Sequence, residues 1–157
     1  MKIKNPKLLF FSILLSQLAG IIGSTATMSA IPTWYVTLNK PSFNPPNWIF
    51  GPVWITLYTM MGIALYLVWV KKQTKETKIT KNLFLAHLLV NALWSLVFFG
   101  LKRLDLAFIV IIALWWIIIY LIEMFKKIDK KASYLLVPYL LWVTFASVLN
   151  YAIWQLN

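Results

Sequence analysis

Long apolar runs, separated by short polar or basic connections, dominate the hydrophobic pattern of the chain. A helix needs about 20 mostly apolar residues to cross a bilayer. Five runs meet this length, at residues 8–31, 49–70, 83–99, 104–125 and 134–154. Since no connection between them can hold a soluble domain, the pattern predicts an all-α membrane protein. We expect a bundle of five transmembrane helices that forms a single domain over residues 1–157.

The composition agrees with this pattern. Hydrophobic residues make up 61% of the 157 residues, charged residues make up 12%, and the mean hydropathy is +0.77. Soluble domains contain about a quarter charged residues, so an ordinary soluble enzyme and a disordered chain are both excluded. The absence of cysteine excludes a disulfide framework and a cysteine nucleophile.

The positive charges alternate between connections. Twelve of the fifteen Lys and Arg residues precede the first span or lie in the second and fourth connections. The positive-inside rule then places the N-terminus in the cytoplasm and the C-terminus outside. These short juxtamembrane runs account for the net charge of +11 as topology signals and lipid contacts, so we expect no nucleic-acid partner. Lys2, Lys4 and Lys7 would also suit a signal peptide, but the apolar run after them is longer than a usual signal core.

The first connection, residues 32–48, is the longest. It contains four prolines, which prevent a regular helix throughout, and loops longer than about 12–15 residues tend to be functional. It also carries four aromatic residues, Trp34, Tyr35, Phe43 and Trp48. Such rings suit a membrane interface, and they equally suit a lid over a pocket. The spacing alone does not choose between these interpretations.

The usual catalytic sets are missing. The sequence has one histidine and four acidic residues, with no serine-hydrolase, zinc-protease or P-loop motif, so we expect no metal site. His87 lies about one turn inside the third span, and we favour a neutral packing role over a ligand or proton role. Asp105 is predicted to stabilise the start of the fourth span, and Glu123 to pair with Lys126 or Lys127.

Polar and aromatic residues recur at helical spacing on three spans. They are Trp54, Tyr58 and Met61 in the second span, Asn91, Trp94, Ser95 and Phe98 in the third, and Pro138, Trp142, Ala146 and Asn150 in the fifth. An amide within hydrocarbon needs a polar partner, so these faces are expected to turn toward protein. Two interpretations fit the spacing: helix packing with an asparagine hydrogen bond, and an aromatic-walled pocket for a flat apolar ligand. Pro138 is expected to kink the fifth helix or to end an earlier turn.

Four blocks of sequence carry a resemblance to a known family. W-Y-V-T-L-N-K-P-S-F-N-P-P at residues 34–46 is similar to W-Y-x-x-L-x-K-P-x-[FW]-x-P-P, and F-G-P-V-W at 50–54 is similar to F-x-P-x-W. N-A-L-W-S-L-V-F-F at 91–99 is similar to N-x-x-W-S-x-x-F-F, and residues 138–150 are similar to P-Y-x-x-W-x-x-F-A-x-x-L-N. These are patterns of the TspO/MBR family of tryptophan-rich sensory proteins and translocator proteins. The resemblance covers all five spans in order.

The resemblance implies a five-helix bundle, commonly a homodimer, with a ligand cavity under the first loop, residues 32–48, as its lid. Family members bind protoporphyrin IX and related tetrapyrroles, isoquinoline carboxamide and benzodiazepine drugs, and in animals cholesterol. Matched to this sequence, the candidate ligand-binding residues are Tyr35, Pro45, Trp54, Tyr58, Asn91, Trp94, Phe98, Trp142, Ala146 and Leu149.

The implied function is that of a membrane tetrapyrrole-binding or sensory protein, with porphyrin as the ligand and no required cofactor. Light-dependent porphyrin degradation, described for some bacterial members, and porphyrin transport are the alternatives. In degradation, Trp54 and Trp142 would be the catalytic residues. The cholesterol pattern proposed for the family needs a Lys or Arg shortly after Tyr151, and residues 152–157 contain neither. Together with a composition rich in Lys and Ile, this favours a protein of the bacterial cell membrane.

Overall fold

Five long helices make up nearly all of the computed structural model, which describes residues 4–157. They are α1 (Pro6–Ala30), α2 (Asn47–Trp69), α3 (Lys75–Ser95), α4 (Leu104–Ile128) and α5 (Lys130–Leu156). Each is long and apolar enough to span a membrane, and residues 4–157 form no strand. The predicted all-α class and its five spans are therefore confirmed. Lys2, one of the charges counted for the topology, lies outside the described residues.

The basic connections are shorter than the sequence predicts because the helices extend into them. α3 begins at Lys75 rather than near residue 83, because Thr74 and Thr77 form a reciprocal capping box. α4 and α5 are separated by Asp129 alone. Its carboxylate caps α5 by accepting from the backbone N–H groups of Lys131 and Ala132. Pro138 lies inside α5 without ending it.

The helices form a closed ring in the order α1, α2, α5, α4, α3. The core inside the ring is apolar, and its fully buried members include Leu65, Phe84, Ile118 and Phe125. Many large apolar side chains point outward instead, such as Leu89, which is 71% exposed. An apolar exterior of this extent is the surface that a bilayer covers.

The two ends of the bundle differ in charge. We call the end that carries residues 31–46, the α3–α4 connection and the last turn of α5 the loop end, and the opposite end the lysine end. Lys40, Lys102 and Arg103 lie at the loop end, and every other lysine of residues 4–157 lies at the lysine end. Placing the lysine end in the cytoplasm remains a prediction of the positive-inside rule.

Candidate ligand-binding cavity

A cavity of about 440 Å³ lies at the loop end, between α1, α2, α3 and α5. Its volume falls within the range of small-molecule pockets, about 300–1,000 Å³. The wall is rich in aromatic side chains, namely Tyr35, Phe50, Trp54, Tyr58, Trp94, Phe98, Phe99 and Trp142. None of the wall residues found within residues 4–157 carries a charge. The cavity thus favours a flat, largely apolar molecule.

A chain of hydrogen bonds fixes the α2 wall. Trp54 stacks on Tyr58, with ring centroids 5.4 Å apart and an interplanar angle of 28°. The Tyr58 hydroxyl donates to Asn91 Oδ1, and Asn91 Nδ2 donates to the Tyr139 hydroxyl at 2.9 Å. Asn91 therefore lies behind Tyr58 as the partner of two buried phenols and is not itself a wall residue. The amide finds the polar partners that its position in the membrane requires.

A second amide fixes the α3 wall. The indole Nε1 of Trp94 donates to Asn150 Oδ1 at 3.1 Å, and Asn150 Nδ2 donates to the Leu104 carbonyl at 3.0 Å. Asn150 is buried and lines the cavity. It joins α3, α5 and the first turn of α4, and it holds the Trp94 ring in one orientation.

Trp142 forms the α5 wall among other aromatic rings. Its ring lies 6.2 Å from that of Phe50 and 5.5 Å from that of Phe145, which in turn contacts Phe43 of the first loop. Trp54 and Trp142 are both half-buried, and neither indole N–H has a hydrogen-bond acceptor within residues 4–157. Both groups are therefore free to donate to a ligand.

Tyr35 seals the loop end of the cavity. Its side chain is only 3% exposed, it packs on Phe98 and Phe99, and its hydroxyl donates to Asn44 Oδ1 at 2.7 Å. Lys40 lies over the ring with its Nζ 5.1 Å from the centroid. Burial raises the pKa of Tyr35 to about 12, so the phenol remains a donor at neutral pH.

The loop is also fastened to the end of α5. The Asn39 backbone N–H donates to Asn157 Oδ1 at 3.0 Å, and Asn157 Nδ2 donates to the Asn39 carbonyl at 3.0 Å. Asn39 Nδ2 adds a bond to the Leu156 carbonyl at 3.2 Å. These bonds and the Tyr35 contacts hold the loop across the cavity.

A π-helical segment, Leu96–Gly100, continues α3 at the cavity. In a regular α-helix, neighbouring residues point about 100° apart. Here Phe98 and Phe99 both line the cavity and both contact Tyr35. Single π-turns within helices are frequent at functional sites. The sequence contains no signal that would have predicted this one.

Most of the predicted site residues meet at this cavity. Eight of the ten line it: Tyr35, Trp54, Tyr58, Trp94, Phe98, Trp142, Ala146 and Leu149. Asn91 and Pro45 do not, because Asn91 lies in the layer behind Tyr58 and Pro45 lies in the loop away from the wall. Whether these residues bind a ligand remains a prediction.

The residue spacing did not predict the contribution of α1, whose wall residues include Gln17, Gly20, Ser24 and Thr27. Gln17 was the available signal, since a polar side chain within a span turns toward protein or a cavity. It lies in a span that also carries Ser12, Ser16, Ser24 and Thr27, so a single amide did not distinguish one side of the helix.

The ionisable residues considered earlier lie away from the wall. His87 is fully buried, packs against Tyr139, and its Nδ1 bonds the Phe84 carbonyl at 2.5 Å. This geometry supports the packing role.

The acidic residues pair with nearby cations. Asp105 lies in the first turn of α4 and forms an ion pair with Arg103 at 2.6 Å, in addition to its place at the start of that helix. The predicted ion pair of Glu123 with Lys126 is confirmed at 4.0 Å. Within the described chain, no group of His, Asp or Glu side chains could hold a metal ion.

Comparison with known proteins agrees with the resemblance. Residues 12–155 match the TspO/MBR family. The chain is 43% identical over 146 residues to the tryptophan-rich protein TspO of Archaeoglobus fulgidus, covering 93% of this chain and 94% of that relative. It is 37% identical over 138 residues to the tryptophan-rich sensory protein of Cereibacter sphaeroides, covering 86% and 85%. It is 33% identical over 143 residues to the translocator protein of Homo sapiens, covering 90% and 85%.

Proposed function

We propose that this chain, which belongs to the TspO/MBR family, binds a tetrapyrrole of the protoporphyrin IX type in the cavity at its loop end. The observation that carries the proposal is the uncharged aromatic wall, with tryptophans on α2, α3 and α5 around one space of about 440 Å³. A porphyrin ring is flat and apolar, so its affinity would come from stacking and burial against these indoles. The same wall would accept isoquinoline carboxamide and benzodiazepine ligands.

The carboxylates of a porphyrin need polar partners outside the uncharged wall. The cations of the loop end are Lys40, Lys102 and Arg103. Arg103 is already bound by Asp105 through two hydrogen bonds. Lys40 donates to loop carbonyls, and the Lys102 Nζ lies 6.0 Å from the Trp34 ring centroid. Lys40 and Lys102 are thus the cations with capacity for a carboxylate, and the free indole N–H groups of Trp54 and Trp142 add donors within the cavity.

A titration of purified protein with protoporphyrin IX in the dark tests this proposal. Trp54→Ala should weaken binding about thirtyfold, because truncating a buried aromatic at a binding site costs on the order of 2 kcal/mol. Trp116→Ala is the matched control, since Trp116 is 63% exposed on α4 and outside the cavity. Equal affinity of the Trp54 variant and the control would refute this pocket.

A second candidate is light-dependent degradation of the bound porphyrin. The position of Trp54 favours this candidate, because its indole lines the cavity, stacks on Tyr58 and has its ring centroid 6.3 Å from that of Tyr139. An excited porphyrin could take an electron from an indole so placed, with dissolved dioxygen as the oxidant that degrades the ring, and the electron transfer needs no acid–base residue. Trp54→Phe with Trp142→Phe should stop light-dependent loss of the porphyrin absorption band while binding persists. Loss of the porphyrin band at the rate of the unaltered protein would refute degradation by these indoles and leave a receptor or a carrier. Porphyrin flux into liposomes, measured with and without the protein, separates these two functions.

A homodimer remains a prediction from the resemblance, and cross-linking in bilayers tests it.

A further inference from the structure

α1 changes its neighbour along its length. Toward the lysine end it packs tightly on α2, where a Cβ added at Gly62 would overlap the Ile13 backbone. Gln17 forms a polar contact to α2, because its Nε2 donates at 3.0 Å to both the Ile55 carbonyl and Thr59 Oγ1. One turn further, Gly20 lies against the Tyr58 ring.

Beyond Gly20, the close contacts of α1 pass to α3. A Cβ added at Gly23 would lie 3.0 Å from Ser95 Oγ, and one added at Gly100 would lie 3.5 Å from the Ala26 Cβ. The last part of α1 therefore leans on α3 and its π-helical extension and separates from the start of α2. The cavity occupies the resulting space.

The wall of the cavity is exposed along the two edges of this gap. On the α1 edge, Ile21 is 56% exposed and Met28 is 74% exposed, and on the α2 edge Ile55 is 61% exposed. Gly51, also on the α2 edge, has no atom within 4 Å of an added Cβ. The wall residues of α3 and α5 are buried or half-buried. The cavity is therefore open on one side, between α1 and α2.

This side opening faces lipid rather than water. Its edges belong to two membrane-spanning helices, and their exposed large side chains are apolar. The exposed Asn47 lies at the loop end of the α2 edge. The hydroxyl groups nearby are already bonded within α1, since Ser24 donates to the Ile21 carbonyl and Thr27 to the Gly23 carbonyl. Toward the aqueous phase, the loop covers the cavity through Tyr35 and the bonds between Asn39 and Asn157.

We propose that the opening between α1 and α2 is the access route of the cavity, and that it admits flat apolar molecules already dissolved in the membrane. The loop then stays in place during binding, and the bilayer acts as the reservoir from which the ligand is drawn. The proposal rests on the function proposed above and adds a selection step, because only a molecule that partitions into lipid reaches the opening.

The test measures association of protoporphyrin IX with the protein in lipid nanodiscs, followed by porphyrin fluorescence. Gly51→Phe places a ring at the α2 edge of the gap, where an added Cβ meets open space, and should slow association about tenfold or more. Met28→Trp obstructs the gap from the α1 edge and should also slow association. Leu141→Phe is the control, because Leu141 is 65% exposed and outside the cavity. In the unaltered protein, the rate should follow the porphyrin-to-lipid ratio rather than the porphyrin concentration in water.

Releasing the loop tests the competing route, in which the ligand enters from water through the loop end. Asn39→Ala with Asn157→Ala removes the side-chain bonds between the loop and α5, and the association rate should stay unchanged. Faster association in this variant, together with unchanged rates in Gly51→Phe and Met28→Trp, would overturn the side opening while saturable binding upheld the proposed function. If the unaltered protein showed no saturable binding, both the function and this route would be refuted.

Discussion

Replacing Asn91 by alanine removes the amide that joins Tyr58 of α2 to Tyr139 of α5. Both bonds are buried, and the network has no other member within the described chain. The substitution therefore leaves two phenol groups without their partner inside an apolar core. It also frees the Tyr58 ring on which Trp54 stacks.

The size of the effect follows from these two bonds. Between membrane helices a side-chain hydrogen bond contributes about 0.6 kcal/mol on average and at most about 1.7 kcal/mol. An unsatisfied buried group costs about 1–3 kcal/mol. Since the phenols can partly relax, we expect a loss of about 2 kcal/mol in the free energy of unfolding. Ligand affinity should fall by several-fold as well, although Asn91 does not touch the cavity.

A double-mutant cycle separates the network from simple loss of packing. The free energy of unfolding in mixed detergent is measured for Asn91→Ala, Tyr139→Phe and the double variant, together with the dissociation constant of protoporphyrin IX. Tyr139→Phe keeps the ring and removes only the hydroxyl. The effects of the two single substitutions should not add, because each removes the same bond.

Additive losses in this cycle would refute the network as a unit. Unchanged ligand affinity in Asn91→Ala, combined with reduced stability, would show that Trp54 does not depend on this support. The control is Thr144→Val, which removes an exposed hydroxyl that bonds Trp115 outside the cavity. Its ligand affinity should equal that of the unaltered protein.

Three further outcomes are expected. Gly20→Ala should cost about 1–3 kcal/mol of unfolding free energy, because its Cβ would overlap a buried ring, whereas Gly51→Ala, which faces open space, should be neutral or slightly stabilising in the same assay. Asp129→Ala should cost about 1 kcal/mol through loss of the α5 cap and of the 2.7 Å ion pair with Lys71. Partial burial opposes ionisation of Asp129, but these partners hold its pKa below the ordinary value. Its stabilisation should therefore be present above about pH 4 and disappear as the pH falls further, and loss of this difference only at alkaline pH would contradict the assignment. Tyr35 should ionise near pH 12 rather than 10, so its contribution should decline only as the pH rises from about 10 to 12. An ultraviolet difference titration against Tyr35→Phe in which the Tyr35 phenolate already forms near pH 10 would contradict its burial.

The sequence predicted the helices well because a membrane span depends on an average over about 20 residues. Helical periodicity also assigned the aromatic residues of α2, α3 and α5 to protein-facing sides of their helices, and the family resemblance supplied the expectation that they surround one cavity. Periodicity does not identify depth, however. Asn91 and Trp94 share a face of α3, yet one supports the wall from behind and the other forms it.

Two parts of the site were outside the reach of pattern analysis. α1 buries the small residues Ser12, Ser16, Ala19 and Gly23 at helical spacing, but such a stripe indicates close packing without showing which helix it packs on or where a cavity opens. The π-helical turn at Leu96–Gly100 carries Phe98 and Phe99, which both contact Tyr35. Local helix propensities do not distinguish such a turn from a regular α-helix.

The ring order of the helices has a consequence for biogenesis. α2 is made before its neighbour α5, which is the last of these five helices to emerge from the ribosome, and α5 supplies both the Trp142 wall and the hydroxyl that pairs with Asn91. Until α5 inserts, the Asn91 amide lacks one partner within the bilayer. A chain stalled before α5 therefore leaves Asn91 Nδ2 without the Tyr139 hydroxyl. Insertion of α5 supplies this acceptor and closes the aromatic wall in the same step, so the pocket can form only once all five helices are inserted.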